Sequence, residues 1–307
     1  MTRLLVTGAS GLLGSNLVLE AGDRLDITAV VYQNPVEFET ASVVQADLTD
    51  DGVAQSLVRD CAPDWVVHCA ADTAIEALEG DPRRADILNV RMARSLARAS
   101  KGQRAQFLYV STDSVFDGRD GPYSEEDQVA PQNVYARSKL EGETAVTEEH
   151  PSALVIRTNI FGWSPGTGTS LAEWYHSRLK AGQECPGFTD IHFSPLYSRN
   201  LVHVLLRMLD EGLQGHFHVP GAECISKFEF GLQLAHVFEF DPDLVIPSDS
   251  SQMNWLATRP KNTCLDGSKL KKHLVIRLPS IHDGLVDFRE DRERYFRQIQ
   301  RTVEGEA

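Results

Sequence analysis

Tyr135 and Lys139 stand four residues apart in Val134-Tyr135-Ala136-Arg137-Ser138-Lys139. On a helix that spacing is one turn, so both side chains share a face. A free phenol ionises near pH ~10, and a neighbouring cation is what would bring its proton within reach of neutral chemistry. A tyrosine placed this way suits proton transfer to a carbonyl oxygen. Val110-Ser111-Thr112-Asp113 ends an apolar run upstream of the pair. The Thr112 hydroxyl could hydrogen-bond the same oxygen, where negative charge develops during reduction. Thr112, Tyr135 and Lys139 are the expected catalytic residues.

A second constellation lies at the start of the chain. Gly8-Ala9-Ser10-Gly11-Leu12-Leu13-Gly14 follows a short apolar run, Leu4 to Thr7, and opens an expected helix. Glycines there permit a tight turn and let backbone N–H groups approach a pyrophosphate, with the helix N-terminus adding a favourable dipole. Gly8, Ser10, Gly11, Leu12 and Gly14 are expected to hold a dinucleotide. Asp47-Leu48 follows Val43-Val44, and an acid there could accept from an adenine amino group. Ala70 and Ala71 are small residues past which a cofactor backbone could run. Asn89 is expected to hold a water behind Lys139. At the end of the second strand stand Tyr32 and Gln33, and the nearest acid is Glu37. The missing acid favours a 2′-phosphate and hence NADP(H). No Arg or Lys stands beside the position, so NAD(H) stays open.

These residues need strands and helices to carry them. Apolar runs at Leu4–Thr7, Ile27–Tyr32, Trp65–Ala70, Gln106–Ser111 and Ala153–Arg157 read as strands. Helical patterns at Leu12–Glu20, Gln55–Cys61, Ala85–Ser100 and Val134–Glu148 separate them. Continuous rather than alternating apolar runs, regularly interrupted by helices, imply a parallel sheet covered on both faces. The fold class is α/β, a Rossmann-type doubly wound sheet. The rhythm changes in a loop at 161–169, so residues 1–158 are expected to bind NAD(P) and 159–307 to form a smaller α/β substrate-binding domain. Helices are expected there at Leu171–Ala181, Leu201–Leu209 and Lys227–Phe238. Segments near 195–220, including His216-Phe217-His218-Val219, could return to the first sheet. Asp287–Val303 reads as one charged helix, which could mediate homodimerisation.

The chain of 307 residues can bury a sizeable core. Its net charge of −14 argues against a nucleic-acid or anionic-membrane partner, both of which need basic surfaces. No apolar stretch reaches the ~18 residues of a membrane helix, and the expected location is the cytoplasm. The five cysteines are odd in number, widely spaced and without C-x-x-C spacing. They are expected to be free thiols in a reducing compartment. His216-x-His218 has the spacing of two metal ligands on a strand, but no third ligand is evident, and no metal is expected.

Gly8-x-x-Gly11-x-x-Gly14, Asp47-Leu48, Asn89, Thr112 and Tyr135-x-x-x-Lys139 together resemble the extended short-chain dehydrogenase/reductase superfamily. Ser111-Thr-Asp-Ser-Val-Phe-Asp-Gly118, Pro122-Tyr-Ser-Glu-Glu-Asp127, Gly215-x-Phe-His-Val219, Ser226-Lys-Phe-Glu-Phe230 and Arg259-Pro-Lys-Asn-Thr-x-Leu-Asp266 are similar to its dTDP-4-dehydrorhamnose reductase branch. The resemblance covers nearly the whole chain. It implies reduction, by NADPH, of the 4-keto group of a nucleotide-activated deoxysugar. Tyr135 would then protonate the nascent alkoxide, Lys139 would lower the phenol pKa and hold the nicotinamide ribose, and Thr112 would orient the ketone. Asp113 and Ser114 would lie at the substrate, with Arg259 and Lys261 as cations for its diphosphate. Two positions depart from the branch: Ser114 replaces a tyrosine, and Asp72 a histidine or tyrosine, which bears on the identity of the sugar. Related dehydratases carry Thr-Asp-Glu, so Ser114 also removes the second carboxyl that dehydration needs. The regulatory subunit of methionine adenosyltransferase resembles the same branch and keeps Tyr-x-x-x-Lys. A non-catalytic NADP-binding subunit is therefore the alternative expectation.

Overall fold

Seven strands pair in parallel to form one sheet. From edge to edge the order is Gly215–His218, Leu154–Thr158, Gln106–Thr112, Trp65–His68, Arg3–Thr7, Asp26–Val31 and Ser42–Gln45. The computed structural model describes residues 1–165 and 170–301. Alternate side chains of each strand go to opposite faces. Leu4, Val6, Ala29, Val67, Leu108 and Ile156 pack into one buried cluster, while Leu5, Val30, Val66, Phe107, Tyr109 and Val155 pack into another. That is why the strands read as unbroken apolar runs. The chain builds outward from Arg3–Thr7 in one direction and then from Trp65–His68 in the other. Between those two central strands lies the switch point, where open α/β sheets leave a crevice at the strand C-termini.

The helix expected over Ala85–Ser100 is in fact three pieces: Pro82–Ala85, a π-helical turn at Asp86–Arg91, and Met92–Gly102. A π turn inserts one residue into the helical repeat, and such turns collect at functional sites. Asn89 sits on this one, 1% exposed.

Outside the main sheet, short ladders join Cys185–Phe188 to Val245–Ser248, His192–Phe193 to Ile225–Ser226, and Leu196–Tyr197 to Ile160–Phe161. Helices Leu171–Lys180, Lys227–Val237 and Ile281–Glu290 cover them. Phe161, Phe230 and Phe288 meet there edge to face, with centroids 5.2 and 5.9 Å apart. The expected helix Asp287–Val303 divides into Ile281–Glu290 and Arg292–Gln298. The break falls at Asp291, whose carboxylate accepts from Arg199 and from the Tyr197 hydroxyl. Gln300–Arg301 then pairs with Val36–Glu37, and 302–303 lie outside the described residues, as do 166–169 of the expected loop.

The expectation of five free thiols needs correction. Cys224 and Cys264 form a disulfide, their Cα atoms 5.6 Å apart, well within the span such a bridge bridges. Forty residues separate them in sequence, and only the fold brings them together. Cys61, Cys69 and Cys185 are free.

Candidate active site

The glycine turn is built by close approach. Gly8 has φ +68°, and a Cβ there would lie 2.6 Å from the Ala70 nitrogen. A Cβ on Gly14 would lie 2.3 Å from the Gly8 carbonyl oxygen. The helix that follows, Leu12–Ala21, begins at Gly11 without a side-chain cap. The helices starting at Asp51, Val134, Leu171, Lys227 and Ile281 all have one, from Asp50, Asn133, Ser170, Ser226 and Ser280. The first N–H groups of the Leu12 helix are thus left for another acceptor, as an anion site requires.

A cleft of 1020 Å³ opens beside this turn. Gly8, Ser10, Asp47, Leu48, Ala70 and Ala71 line it. Gly11 and Gly14 shape the turn from behind, and Leu12 is the first residue of the helix. Asp47 accepts from the Thr49 hydroxyl at 2.7 Å and from its N–H at 3.0 Å. Those bonds, joined by one from Tyr32, hold its carboxyl below the usual range. Asp47 is therefore both a turn residue and part of the cleft wall. Tyr32 and Gln33 line the same cleft, and so do Arg83 and Arg84. Sequence reading found no cation for this cleft, because these arginines lie some fifty positions from Tyr32 and only the topology brings them into the same lining.

Asp72 also lines the cleft and is not a bare charge: Arg84 Nη2 lies 2.6 Å from its carboxylate. Its backbone is gripped by Asn89, which donates from Nδ2 to the Asp72 carbonyl at 3.0 Å and accepts the Asp72 N–H at 2.9 Å. Asn89 Nδ2 also donates to Ser138 Oγ at 2.9 Å. Both Nδ2 hydrogens of Asn89 are thus taken by protein partners, and Asn89 ties the loop after Trp65–His68 to the helix carrying Tyr135.

That helix, Val134–Glu149, is fixed at its start. Asn133 Oδ1 accepts from the Ala136 N–H at 2.8 Å, and its Nδ2 donates to the Thr258 carbonyl at 2.8 Å. Tyr135 is the second helical residue, with the Thr112 hydroxyl near enough to act on its phenol. Burial pushes the Tyr135 phenol up to about 12; the Thr112 hydroxyl opposes this and the Asp113 charge adds to it. Lys139, 3% exposed, donates from Nζ to the Val110 carbonyl at 2.8 Å and lies 4.1 Å from the Tyr109 ring centre. Burial lowers it from 10.5 to about 7, against the upward pull of Glu143 and Cys69. Glu143 is itself buried, bonded by Arg157 at 2.7 and 3.0 Å and by Ser111. His216 Nε2 lies 3.6 Å from it, while His218 faces the Tyr123 carbonyl and Arg157. Both histidines thus have protein partners. Among the described residues no group of three His, Cys, Asp or Glu is placed to hold a metal.

Asp113, expected at the substrate, is instead 1% exposed. Both carboxylate oxygens are occupied. Thr112 and Ser114 donate to Oδ1 at 3.1 and 3.2 Å, Asn159 and Thr263 to Oδ2 at 2.9 and 2.6 Å. Burial still raises its pKa despite these bonds. Asp113 anchors the strand end, and the half-buried Ser114 is one of its donors. Lys261 is drawn away to Asp190 at 2.8 Å. Arg259 pairs with Glu76 at 2.7 Å and lies over the Trp255 ring, leaving Nη1 buried without a partner. The residue missed by sequence reading is Lys227. It is close enough to feel the Arg259 and Asp113 charges, and burial depresses its pKa. The signal was present in the sequence: Lys227 is the first residue after the Ser226 cap, where the helix dipole disfavours a cation.

A nucleotide-sized cleft at the switch point, tied through Asp72, Asn89 and Ser138 to the helix that carries Tyr135 and Lys139, defines an NAD(P)-dependent α/β oxidoreductase of the extended short-chain dehydrogenase/reductase type. The chain belongs to the family described as RmlD substrate binding domain, whose model matches residues 1–293. A probable low-salt glycan biosynthesis reductase of Haloferax volcanii is 33% identical over 285 residues, 92% of this chain and 95% of that protein. A methionine adenosyltransferase 2 subunit beta of Danio rerio is 32% identical, covering 88% and 84%. A dTDP-4-dehydrorhamnose reductase of Mycobacterium tuberculosis is 36% identical, covering 86% and 84%. A crystal structure of dTDP-4-dehydrorhamnose reductase from Bacillus anthracis in complex with NADP superposes with a TM-score of 0.82 at 28% identity, covering 95% of this chain and all of that one. Among the described residues no helix is long and apolar enough to cross a membrane.

Proposed function

We propose that this chain reduces the 4-keto group of a nucleotide-activated deoxysugar, with NADPH preferred over NADH. The observation that carries the reading is Thr112 against Tyr135 at a strand C-terminus, with Lys139 buried one turn away. Gly8, Ser10 and the uncapped N-terminus of Leu12–Ala21 fit a pyrophosphate; Asp47, Leu48, Ala70 and Ala71 fit the adenosine. Arg83 and Arg84 also line the cleft, Arg84 paired with Asp72, and Arg83 is the cation that suits a 2′-phosphate. When bound, the nicotinamide supplies the hydride.

The chain's own groups then do three things. Tyr135 receives the ketone oxygen as it gains charge, and Thr112 joins it by turning its one hydroxyl proton from Asp113 to that oxygen. Tyr135 gives it a proton, and a phenol held near 12 is still a stronger acid than the alcohol it forms. Lys139, one helical turn beyond Tyr135, supplies the cation that would stabilise the phenolate left behind. Lys227 and Arg259 suit the diphosphate better than Lys261 does. In this reading residues 1–158 bind the cofactor and 159–307 the substrate, although Gly215–His218 pairs within the main sheet. The reaction takes place in the cytoplasm.

Replacing Tyr135 by Phe should lower turnover of a 4-keto-6-deoxy nucleotide sugar by roughly 10²–10⁴-fold, with NADPH affinity nearly unchanged. Undiminished turnover would overturn the mechanism. The likeness to the methionine adenosyltransferase beta subunit supports a second, regulatory reading. That reading expects no turnover on any keto sugar and a protein partner that co-purifies.

A further inference from the structure

The substrate side of the centre is held by segments that pair only briefly. Thr263, which bonds Asp113, donates its N–H to the His192 carbonyl at 2.9 Å, and His192 donates to the Lys261 carbonyl at 2.7 Å. On the other side of His192–Phe193 runs Ile225–Ser226, in a pairing two residues long. Ile225–Ser226 leads directly into Lys227. Asn262 and Cys264 also reach the loop after Ser114: Asn262 N–H donates to the Gly118 carbonyl at 3.0 Å, and Tyr123 N–H to the Cys264 carbonyl at 2.8 Å. Ladders this short hold poorly without help. The Cys224–Cys264 disulfide joins the two outer segments covalently. One of its cysteines is adjacent to Thr263 and the other is three residues from Lys227.

We propose that this disulfide is a positioning device for the substrate subsite. Closed, it keeps Thr263 on Asp113 and holds Ile225–Ser226, which leads into Lys227, on His192–Phe193. Opened, it loosens that subsite and leaves the cofactor cleft, built from residues 8 to 92, as it was. Cys224 is exposed and Cys264 buried, so a dithiol reductant can attack at Cys224. Two electrons and two protons pass to the protein, the Sγ–Sγ bond becomes two thiols, and the reductant leaves as its own disulfide. Substrate affinity then follows the redox state of the protein.

The identity of the ligand rests on the ketosugar reading; the positioning does not. Protein purified without reductant should show three titratable thiols on unfolding, Cys61, Cys69 and Cys185; five would overturn the proposal. Reduction with a phosphine should speed backbone hydrogen exchange in 113–123 and 259–266 but not in 8–14, and unchanged exchange would overturn it. It should weaken dTDP binding about tenfold while NADPH binding stays within about twofold, through lost preorganisation. Equal loss for both ligands, or for neither, argues against the proposal. The variant carrying Cys224→Ser and Cys264→Ser should match the reduced wild type. Failure of the ketosugar reading would appear separately, as oxidised protein that does not turn over keto sugars while the exchange difference persists.

Discussion

At the scale of single residues, the chemistry turns on how Lys139 keeps its proton. Burial alone would strip it, and Glu143, one turn further along the helix, pulls the other way. Lys139 lowered to about 7 is charged below that pH and loses the charge as pH rises through it. The kcat/KM for ketone reduction should therefore fall as pH rises past about 7 in the free enzyme. Glu143→Gln removes the upward pull, so its falling limb should move to lower pH. A limb that stays put in Glu143→Gln would show that Glu143 only braces Arg157. The catalytic trio could be read from the sequence because spacing encodes a shared helical face. The roles of Asp113, Asn89 and Lys261 could not. Each is decided by partners distant in sequence, such as Thr263 for Asp113, Asp72 for Asn89 and Asp190 for Lys261. Asp72 is the converse case. A carboxylate that looked out of place is paired with Arg84.

At the scale of elements, the glycine turn does its work through backbone contact rather than flexibility. Gly14→Ala would press a Cβ to 2.3 Å from the Gly8 carbonyl, and main chain cannot step aside as a side-chain tip can. The variant should lose roughly 1–3 kcal/mol of stability and bind NADPH more weakly, read by denaturant melts and by titration. Gly80→Ala is the control. Nothing lies within 4 Å of its added Cβ, so it should be neutral or stabilising by about 0.4–1 kcal/mol. If both variants behave alike, the close packing of the turn is not what holds the cleft. The strands were legible because burial on both faces writes continuous apolar runs. The π turn at Asp86–Arg91 was not, because one inserted residue hardly disturbs a helical pattern. The disulfide was not, because cysteine spacing carries no information about which loops will meet.

At the scale of the whole molecule, the C-terminal helices are joined to the cofactor-binding part by charge as well as by packing. Glu20, at the end of the first helix, takes Arg199 at 3.1 Å, His203 at 3.3 Å and Arg294. Asp291, at the break between the last two helices, shares Arg199 at 3.0 Å. Burial raises the Glu20 pKa, but the bonds from His203 and Arg294 and the charges of Arg199 and Arg294 outweigh it, bringing it from 4.5 to about 2. A carboxylate depressed in the folded state binds its proton more readily in the unfolded chain. Its contribution is therefore complete above pH 4.5 and is lost as pH falls toward 2. With screening at the half-exposed His203 and Arg294, a shift of this size corresponds to about 1–2 kcal/mol, still a sizeable share of a typical folding free energy. Urea melts at pH 7 should show Glu20→Gln less stable than wild type, and melts near pH 3 should bring the two closer together. The loss should appear first as weakened docking of Arg292–Gln298, since Arg294 depends on Glu20 while the sheet does not. Parallel stability curves for the two proteins across that range would mean that the apolar contacts of Tyr295 and Phe288 hold the C-terminal helices without help from the ion network.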